Sequence, residues 1–323
     1  MASGFDNPIF TDADKAREYL EAQRWPNGPL CPHCGNADPQ AIRALKGKAH
    51  RPGVYQCNAC REQFTVTVGT VFERSKIALN KWLYATHLMC ASKKGISAHQ
   101  LHRMLGVTYK TARFMAHRIR DAMMDDVSTS GPMGGEGKIV EADETYFGKT
   151  ETQPTVTTSG RPFTKRGKSG PSGKRAVVGL VERGGKIRTF HVEKANAETV
   201  RDVLVRNVSR DTTLYTDESR LYTVTGREFA EHETVRHSAG EYARGTVHTN
   251  TIEGYFSVFK RGMRGVYQHC AEKHLHRYLV EFDFRYNRRS KLGIDDVTRR
   301  DDALKGIEGK RLTYRRTGEA AHA

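Results

Sequence analysis

The hydrophobic pattern of the first 125 residues is helical, and it changes to that of strands farther along the chain. Residues 11–25 and 79–90 repeat apolar side chains every three to four positions, which predicts two amphipathic helices. A third helix follows Ser97 and ends at Gly106, and a fourth runs from Thr108 to about Met124. The last two, joined at a glycine turn, predict a helix-turn-helix, although an ordinary helical pair shows the same pattern.

Strand patterns begin after residues 127–137, a stretch rich in glycine and serine that indicates a linker. Residues 138–147 alternate as a strand, and residues 175–183 and 186–192 flank Gly184 and Gly185 as expected for a hairpin. A helix over about 197–207 and a strand over 213–216 follow. The order strand, hairpin, helix and strand predicts an α/β fold with a mixed sheet and flanking helices.

Four of the six cysteines form two Cys-x-x-Cys pairs with 22 residues between the inner cysteines. Two such knuckles predict a small ribbon that holds one structural Zn²⁺ through Cys31, Cys34, Cys57 and Cys60. Gly35 and Asn58 lie where the tight turns need a permissive backbone. A pair of redox dithiols is the alternative interpretation, but it requires both pairs to occur together by accident.

The formal net charge of +16 indicates a polyanionic partner. Nucleic acid and an anionic membrane are the two candidates, and the sequence shows no apolar run long enough to span a bilayer and no signal peptide. We therefore expect a soluble intracellular protein that binds double-stranded DNA. The basic candidates for DNA contact lie in three stretches: the second helix of the helix-turn-helix (Lys110, Arg113, Arg118 and Arg120, all expected in solvent), the insertion over 149–174 (Lys165, Arg166 and Lys168) and a later helix (Lys260, Arg261 and Arg264).

Three carboxylates on separate elements are the candidate catalytic groups. Asp143 lies on the first strand, Asp217 follows a later strand, and Glu253 lies on a helix 36 positions after Asp217. Such oxygen ligands can converge on two Mg²⁺ or Mn²⁺ ions that drive an in-line displacement at phosphorus. Strand alternation predicts that Asp143 and its neighbour Glu144 point apart, so that only one of them can face a given site. Glu144 and Glu218 are therefore expected to be strand-edge or capping carboxylates.

The sequence resembles the DDE transposases of prokaryotic insertion sequences, in particular the group that joins an N-terminal zinc ribbon to an ISXO-like catalytic domain of ribonuclease H fold. The matching stretches are Glu141 to Gly148, Tyr215 to Ser219, and His248 to Gly254 with Phe259 to Arg261, together with the ribbon stretches 24–34 and 69–72. The resemblance covers roughly residues 10–315 and includes the spacing from Glu253 to Lys260. It implies Asp143, Asp217 and Glu253 as metal ligands, with Asn250, one turn earlier, as an alternative third ligand.

The domain organisation expected from these features has six parts. They are an N-terminal helical segment (1–27), a zinc ribbon (28–72), a helix-turn-helix region (75–126), a linker (127–137), a ribonuclease-H-like catalytic domain (138–290) and a basic C-terminal tail (291–323). His269, Cys270, His274 and His276 resemble a further metal cluster, but the apolar spacing around them favours a packed helix.

The resemblance implies a transposase that cleaves DNA at the terminal inverted repeats of its element and joins the ends to target DNA. It also implies a homo-oligomer that holds two ends together, in a prokaryotic cytoplasm and on the nucleoid. Two alternatives remain at this point: a ribonuclease-H-like nuclease that cuts without joining, and a transposon-derived DNA-binding regulator without catalysis.

Overall fold

A computed structural model describes residues 6–125, 130–150, 173–241 and 243–312, with the backbone alone of residues 155–156 and 162–163. Lys165, Arg166 and Lys168 of the basic insertion lie outside the described residues, as does part of the linker. No helix within the described ranges is both long and apolar enough to cross a membrane.

The described chain contains helices and strands in both halves. The helices are α1 (Pro8–Thr11), α2 (Ala13–Arg24), α3 (Leu79–Ala91), α4 (Ala98–Leu105), α5 (Tyr109–Ala122), α6 (Ala197–Asn207), α7 (Asn250–Gly262), α8 (Leu275–Asn287) and α9 (Asp296–Lys305). The strands are β1 (Ile42–Ala44), β2 (Tyr55–Cys57), β3 (Gln63–Phe64), β4 (Ile139–Phe147), β5 (Thr155–Val156), β6 (Pro162–Phe163), β7 (Arg175–Glu182), β8 (Ile187–Val192), β9 (Thr213–Asp217) and β10 (Glu231–Val235).

The chain divides into two compact units: residues 1–124 with 289–323, and residues 125–288. Residues 291–323 were expected to form a basic tail. Their described part instead contains α9 and packs within the first unit. Tyr19 donates to the Asp301 carboxylate at 2.6 Å, and Thr70 forms an isolated β-bridge with Glu308.

The first unit contains a small antiparallel sheet in the order β1-β2-β3 and a helical part. Trp25, Tyr55 and Phe64 pack their rings 5.6–5.8 Å apart beside the sheet. In the helical part, the Ser97 hydroxyl caps α4 by accepting from the Gln100 amide, and Gly106 ends α4 in a left-handed conformation (φ 59°). The pair α4 and α5 therefore has the predicted helix-turn-helix connection.

The second unit is built on a five-stranded mixed sheet in the order β10-β9-β4-β7-β8. Strand β4 pairs with β7 in antiparallel fashion from Val140 to Phe147, but it pairs with β9 in parallel only from Ile139 to Glu141. One apolar core lies under α6, and a second lies under α7 and α8. The mixed α/β sheet with flanking helices confirms the predicted fold class.

Helix α7 crosses the sheet closely at Gly179, which pairs with Asp143 in the β4–β7 register. A Cβ atom at Gly179 would lie 2.8 Å from both Ile252 and Phe256 of α7. Tyr255 of α7 also donates at 2.5 Å to Asp283 of α8, which accepts from the Thr189 amide of β8. The close packing that Gly179 allows and this hydrogen-bond network together hold α7 on the sheet beside Asp143.

Candidate active site and metal centres

The four cysteines of the two knuckles form one group, with their sulfur atoms all within 4.8 Å of one another. The Cys31–Cys60 and Cys34–Cys57 sulfur atoms are 3.7 Å apart, and all four cysteines are free of disulfides. A tetrahedral site with Zn–S bonds of about 2.3 Å has sulfur–sulfur edges of about 3.8 Å. The residues therefore fit one structural Zn²⁺.

The turns of the two knuckles require a left-handed residue just after the second cysteine of each pair. Gly35 (φ 74°) fills this position in the first knuckle, and Arg61 (φ 62°) fills it in the second. The prediction for Asn58 was wrong, because Asn58 lies between the cysteines rather than after them.

The acidic candidates Asp143 and Asp217 come together in the second unit, and Glu144 joins them. Carboxylate oxygens of these three residues all lie within 4.8 Å of one another. The expectation that only one of Asp143 and Glu144 could face a given site was therefore wrong. The cause lies in the sheet, where β9 leaves β4 after Glu141 and opens that edge. Carboxylates that leave the strand on opposite faces can both reach the opening.

Hydrogen bonds orient each carboxylate of this acidic cluster. Asp143 accepts from the Glu144 amide at 2.7 Å, Asp217 accepts from the Ser219 amide at 3.0 Å, and Glu144 accepts from the Tyr222 hydroxyl at 2.8 Å. Tyr222 is fully buried, so it holds Glu144 from inside the α6 core.

Burial and like charges raise the pKa values of the acidic cluster. Burial comes first for Asp143, followed by the charges of Asp217 and Glu144, and together they raise its pKa to about 8. Burial also raises the pKa values of Glu144 and Asp217, although the Ser219 amide and His237 oppose the shift at Asp217. A bound divalent cation would relieve this repulsion, and carboxylate oxygens are the ligands that Mg²⁺ and Mn²⁺ prefer. The donor set therefore fits such ions.

Glu253 lies beside the acidic cluster but is not one of its three members. Its carboxylate accepts from the Thr249 hydroxyl at 2.8 Å and lies 3.5 Å from His237 Nε2. Its negative charge contributes to the raised pKa values of both Asp143 and Asp217. Asn250 is the exposed first residue of α7. The choice between Asn250 and Glu253 as third ligand stays a prediction.

Lys260 lies near Asp143, two turns after Glu253 on α7. Burial lowers the pKa of Lys260, whereas the negative charge of Asp143 raises it and the charges of Arg264 and Lys174 lower it. Arg261 and Arg264 are exposed on the same helix and on the π-helical turn that follows it. Lys260 thus places a positive charge near Asp143, with Arg264 and Lys174 near Lys260, an arrangement that suits binding of a phosphate backbone.

The helix-turn-helix exposes only part of the basic surface expected of it. Lys110 and Arg113, near the start of α5, are exposed, whereas Arg118 and Arg120 are only 7% and 3% exposed. The predicted solvent exposure of these two arginines was wrong, because the second half of α5 lies inside the first unit. Arg118 donates to the carbonyls of Glu73 and Leu312 and lies over the Phe114 ring.

The remaining candidates are structural. Glu218 accepts from the amide and hydroxyl of Ser238, as expected for a capping carboxylate. Within the described residues, only the cysteine group and the acidic cluster bring together three or more such ligands, so His269, Cys270, His274 and His276 do not form a metal group. Leu275, Tyr278, Leu279 and Phe282 are buried on α8, which confirms the predicted packing.

Sequence reasoning missed Glu141 and His237 near the site, and it wrongly set Glu144 aside as a strand-edge or capping carboxylate. Glu141 is fully buried and bonded to the start of α7, and His237 faces Asp217 and Glu253. A charged residue at a core-facing strand position is the one signal that could have identified Glu141. His237 begins a short 3-10 helix (His237–Ala239) whose pattern carries no such signal.

Comparisons with known proteins identify a zinc-ribbon domain and a transposase domain in this chain. Residues 134–287 match the ISXO2-like transposase domain, and residues 11–63 match the transposase zinc-ribbon domain. The chain is 30% identical over 288 residues to an uncharacterized protein in transposable element ISH50 of Halobacterium salinarum, covering 85% of this chain and 91% of that relative.

Among solved structures, two similar ones are complexes of the Mos1 transposase, with TM-scores of 0.28. The paired-end complex with the left transposon end is 12% identical and covers 70% of this chain and 74% of that chain. The strand transfer complex is 14% identical and covers 69% and 74%. The family matches and the ISH50 relative show that this chain belongs to the insertion-sequence transposases that join a transposase zinc ribbon to an ISXO2-like transposase domain.

Proposed function

We propose that this chain catalyses metal-dependent cleavage of DNA at the terminal inverted repeats of an insertion sequence and transfer of the cleaved strand to target DNA. The observation that carries the proposal is the convergence of Asp143, Glu144 and Asp217 at an open sheet edge, in a chain of a transposase family. The raised pKa of Asp143 supports a cation-binding role for this cluster.

Asp143 and Asp217 would hold two Mg²⁺ or Mn²⁺ ions, with Glu253 as the third ligand and Asn250 as its alternative. When bound, such ions supply an activated attacking oxygen and stabilisation of the leaving oxygen in an in-line displacement at phosphorus. Glu144 adds negative charge next to both aspartates and is kept in place by Tyr222. We favour Glu253 because a third anionic oxygen offsets two dications better than an amide does.

The positively charged residues would bind the DNA. Lys260, with Arg261 and Arg264, would hold the phosphate backbone next to the acidic cluster. Lys110 and Arg113 would contact the terminal repeat, because the first residues of a recognition helix reach base edges in the major groove. The zinc ribbon would contribute to the same recognition, and a homo-oligomer would hold two ends together.

The test is cleavage of a duplex that bears the element's end, in Mg²⁺ or Mn²⁺. We expect the wild-type chain to nick at the end and to expose a 3′-hydroxyl, and Asp143→Asn and Asp217→Asn to bind the duplex without cutting it. A wild-type chain that binds the duplex but never cuts it would contradict the proposal and support a DNA-binding regulator.

The same assay decides the third ligand. We expect Glu253→Gln to abolish cleavage and Asn250→Ala to retain most of it. Full activity of Glu253→Gln together with loss of activity in Asn250→Ala would assign the metal to Asn250 instead.

A further inference from the structure

Glu141 is a buried carboxylate on β4 whose contacts lead to α7. It lies two residues before Asp143, on the same face of the strand, and its side chain is fully buried. Its Oε2 atom accepts from the backbone amides of Thr251 at 2.9 Å and Ile252 at 3.1 Å. The strand that carries the first aspartate therefore also holds the start of the helix that carries Glu253.

Helix α7 lacks the cap that its own sequence would ordinarily supply. Thr249 stands at the N-cap position but forms no capping hydrogen bond, and its hydroxyl donates to Glu253 instead. The amides of Thr251 and Ile252 are the second and third of the helix, the two that an N-cap side chain normally satisfies. Glu141 takes over this role from another element, and its negative charge suits the positive end of the helix.

Arg183, at the end of β7, completes the anchor. Its Nε atom donates to Glu141 at 2.8 Å, and its Nη2 atom donates to the carbonyl of His248 at 2.9 Å. A third bond runs from Nη1 to the carbonyl of Thr246 at 2.6 Å. The Thr251 hydroxyl adds a further bond to Glu141 at 2.8 Å. The segment that leads into α7 is thus held by two strands through a paired and fully hydrogen-bonded buried charge.

We propose that Glu141 is a positioning residue for the metal site, which sets the place of α7 and so of Glu253 relative to Asp143. This inference rests on the proposed function in one respect, the role of α7 in metal binding. Because β4 carries both Asp143 and the anchor of α7, a shift of the strand moves the aspartate and the helix together. Loss of the anchor would leave Asp143 in place and free the first turn of the helix, which carries Glu253.

The experiment compares Glu141→Gln with Glu281→Gln in the full chain. Glu281 is a matched control because it is also fully buried and paired with an arginine, Arg285, and its bond with Tyr267 lies beyond the C-terminal end of α7, away from Glu253. Three measurements are made on each variant: hydrogen exchange of the peptide over residues 248–261, binding of Mn²⁺ to the protein alone, and the cleavage rate as a function of Mn²⁺ concentration.

We expect Glu141→Gln to speed hydrogen exchange in residues 248–261 and to raise the Mn²⁺ concentration for half-maximal binding and cleavage by about 10- to 100-fold, the usual effect of losing a residue that orients metal ligands. Glu281→Gln should leave the Mn²⁺ concentration for half-maximal binding unchanged. Equal Mn²⁺ dependence in the two variants would overturn the proposal, since a purely structural role lowers the folded fraction without changing metal affinity.

Thr251→Val gives a second test if Glu141→Gln does not fold. It removes only the hydroxyl that donates to Glu141, and we expect a rise of about two- to fivefold in the same Mn²⁺ concentration. An unchanged value would overturn the proposal. The measurements of Mn²⁺ binding and hydrogen exchange need no catalysis. A wild-type chain that binds Mn²⁺ but does not cleave DNA would therefore refute the proposed function alone. The role of Glu141 would still be decided by the Mn²⁺ affinity and the hydrogen exchange of its variants.

Discussion

Asp143 carries an electrostatic cost in the metal-free protein, because it is buried next to two other carboxylates. Its pKa of about 8 lies well above that of an unfolded carboxyl group, about 4. Between these values the folded chain holds a proton that the unfolded chain releases. The stability contribution of this group is therefore present below about pH 4 and is lost as the pH rises through about 8.

Replacing Asp143 with asparagine removes this titration. We predict that metal-free Asp143→Asn gains stability over the wild type as the pH rises from 4 to 8, with a melting temperature higher by roughly 2–8 °C at pH 8. Addition of Mn²⁺ should stabilise the wild type and not the variant. Thermal denaturation over this pH range measures both effects, and the exposed Asp202→Asn is the control. A difference that does not depend on pH would contradict this account.

At the residue scale, the sequence predicts those groups whose chemistry depends on local spacing. The cysteines could be assigned because a knuckle fixes two ligands within four residues. The place of Asp143 and Asp217 in one cluster could be predicted, because Asp143 lies on a strand and Asp217 ends one, each within a stretch that matches the family. Glu144 could not, because its access to the cluster depends on how far β9 pairs with β4. That length depends on the partner strand, and no pattern within β4 reports it.

At the scale of single elements, the close packing of α7 on the sheet requires a glycine at position 179 of β7. A Cβ atom at Gly179 would lie 2.8 Å from Ile252 and Phe256, both buried. We predict that Gly179→Ala costs about 1–3 kcal/mol of unfolding free energy, because the core must shift to admit the methyl group. The same shift displaces α7, so DNA cleavage should fall more than the loss of folded protein explains.

Gly254→Ala is the matched control, since a Cβ atom there would meet nothing within 4 Å. It should be neutral or stabilising, because alanine favours a helix over glycine. Chemical denaturation of both variants, with cleavage measured under conditions where each is folded, makes the comparison. Equal stability of the two variants would show that α7 tolerates the displacement.

Helix α5 carries an exposed arginine, Arg113, and a buried one, Arg118, which the sequence pattern does not distinguish. We predict that Arg113→Ala weakens binding to an end-bearing duplex while the melting temperature stays within about 1–2 °C of wild type, as for surface substitutions. Arg118→Ala should instead destabilise the first unit by about 1–3 kcal/mol, because two partly buried carbonyls lose their donor and the packing of the arginine side chain is lost. Fluorescence anisotropy and thermal denaturation separate the two effects. A wild-type melting temperature in Arg118→Ala would contradict its structural role.

The helices and strands themselves were largely predictable from the sequence, but the burial of their charged side chains was not. The caps at Ser97 and Gly106 and the Gly184–Gly185 turn fix boundaries through local chemistry, so α4 and the β7–β8 hairpin lie where the sequence places them. The amphipathic pattern of α5 identifies a helix, but arginine has a long apolar stem and can be buried with its head bonded to carbonyls. Charge alone therefore does not show which arginines face solvent.

At the scale of the whole molecule, the chain returns to its first unit after completing the second. Residues 289–312 provide α9 and the partners of Tyr19, Arg24 and Thr70. The sequence could not predict this return, because pairings more than 200 residues apart leave no local pattern. Composition predicted a basic tail there.

Zinc should be part of the stability of the first unit. We predict one Zn²⁺ per chain, and loss of the ion in Cys34→Ser together with a lower melting temperature, because binding of the metal is part of the folding free energy of a ribbon. A strong chelator should have the same effect on the wild type. Elemental analysis with thermal denaturation tests this, and a chain with two disulfides and no zinc would contradict it.

The most direct test of the central claim is strand transfer from a pre-cleaved end. The chain is mixed with a labelled duplex that carries the element's end with a free 3′-hydroxyl, a supercoiled target plasmid and Mg²⁺ or Mn²⁺. We predict labelled plasmid as the product, and none with Asp143→Asn, Asp217→Asn or Glu253→Gln, although each variant still binds the duplex. If the wild type binds and hydrolyses the duplex but joins no label to the plasmid, the assignment of strand transfer is contradicted. The protein would then be a nuclease without joining activity.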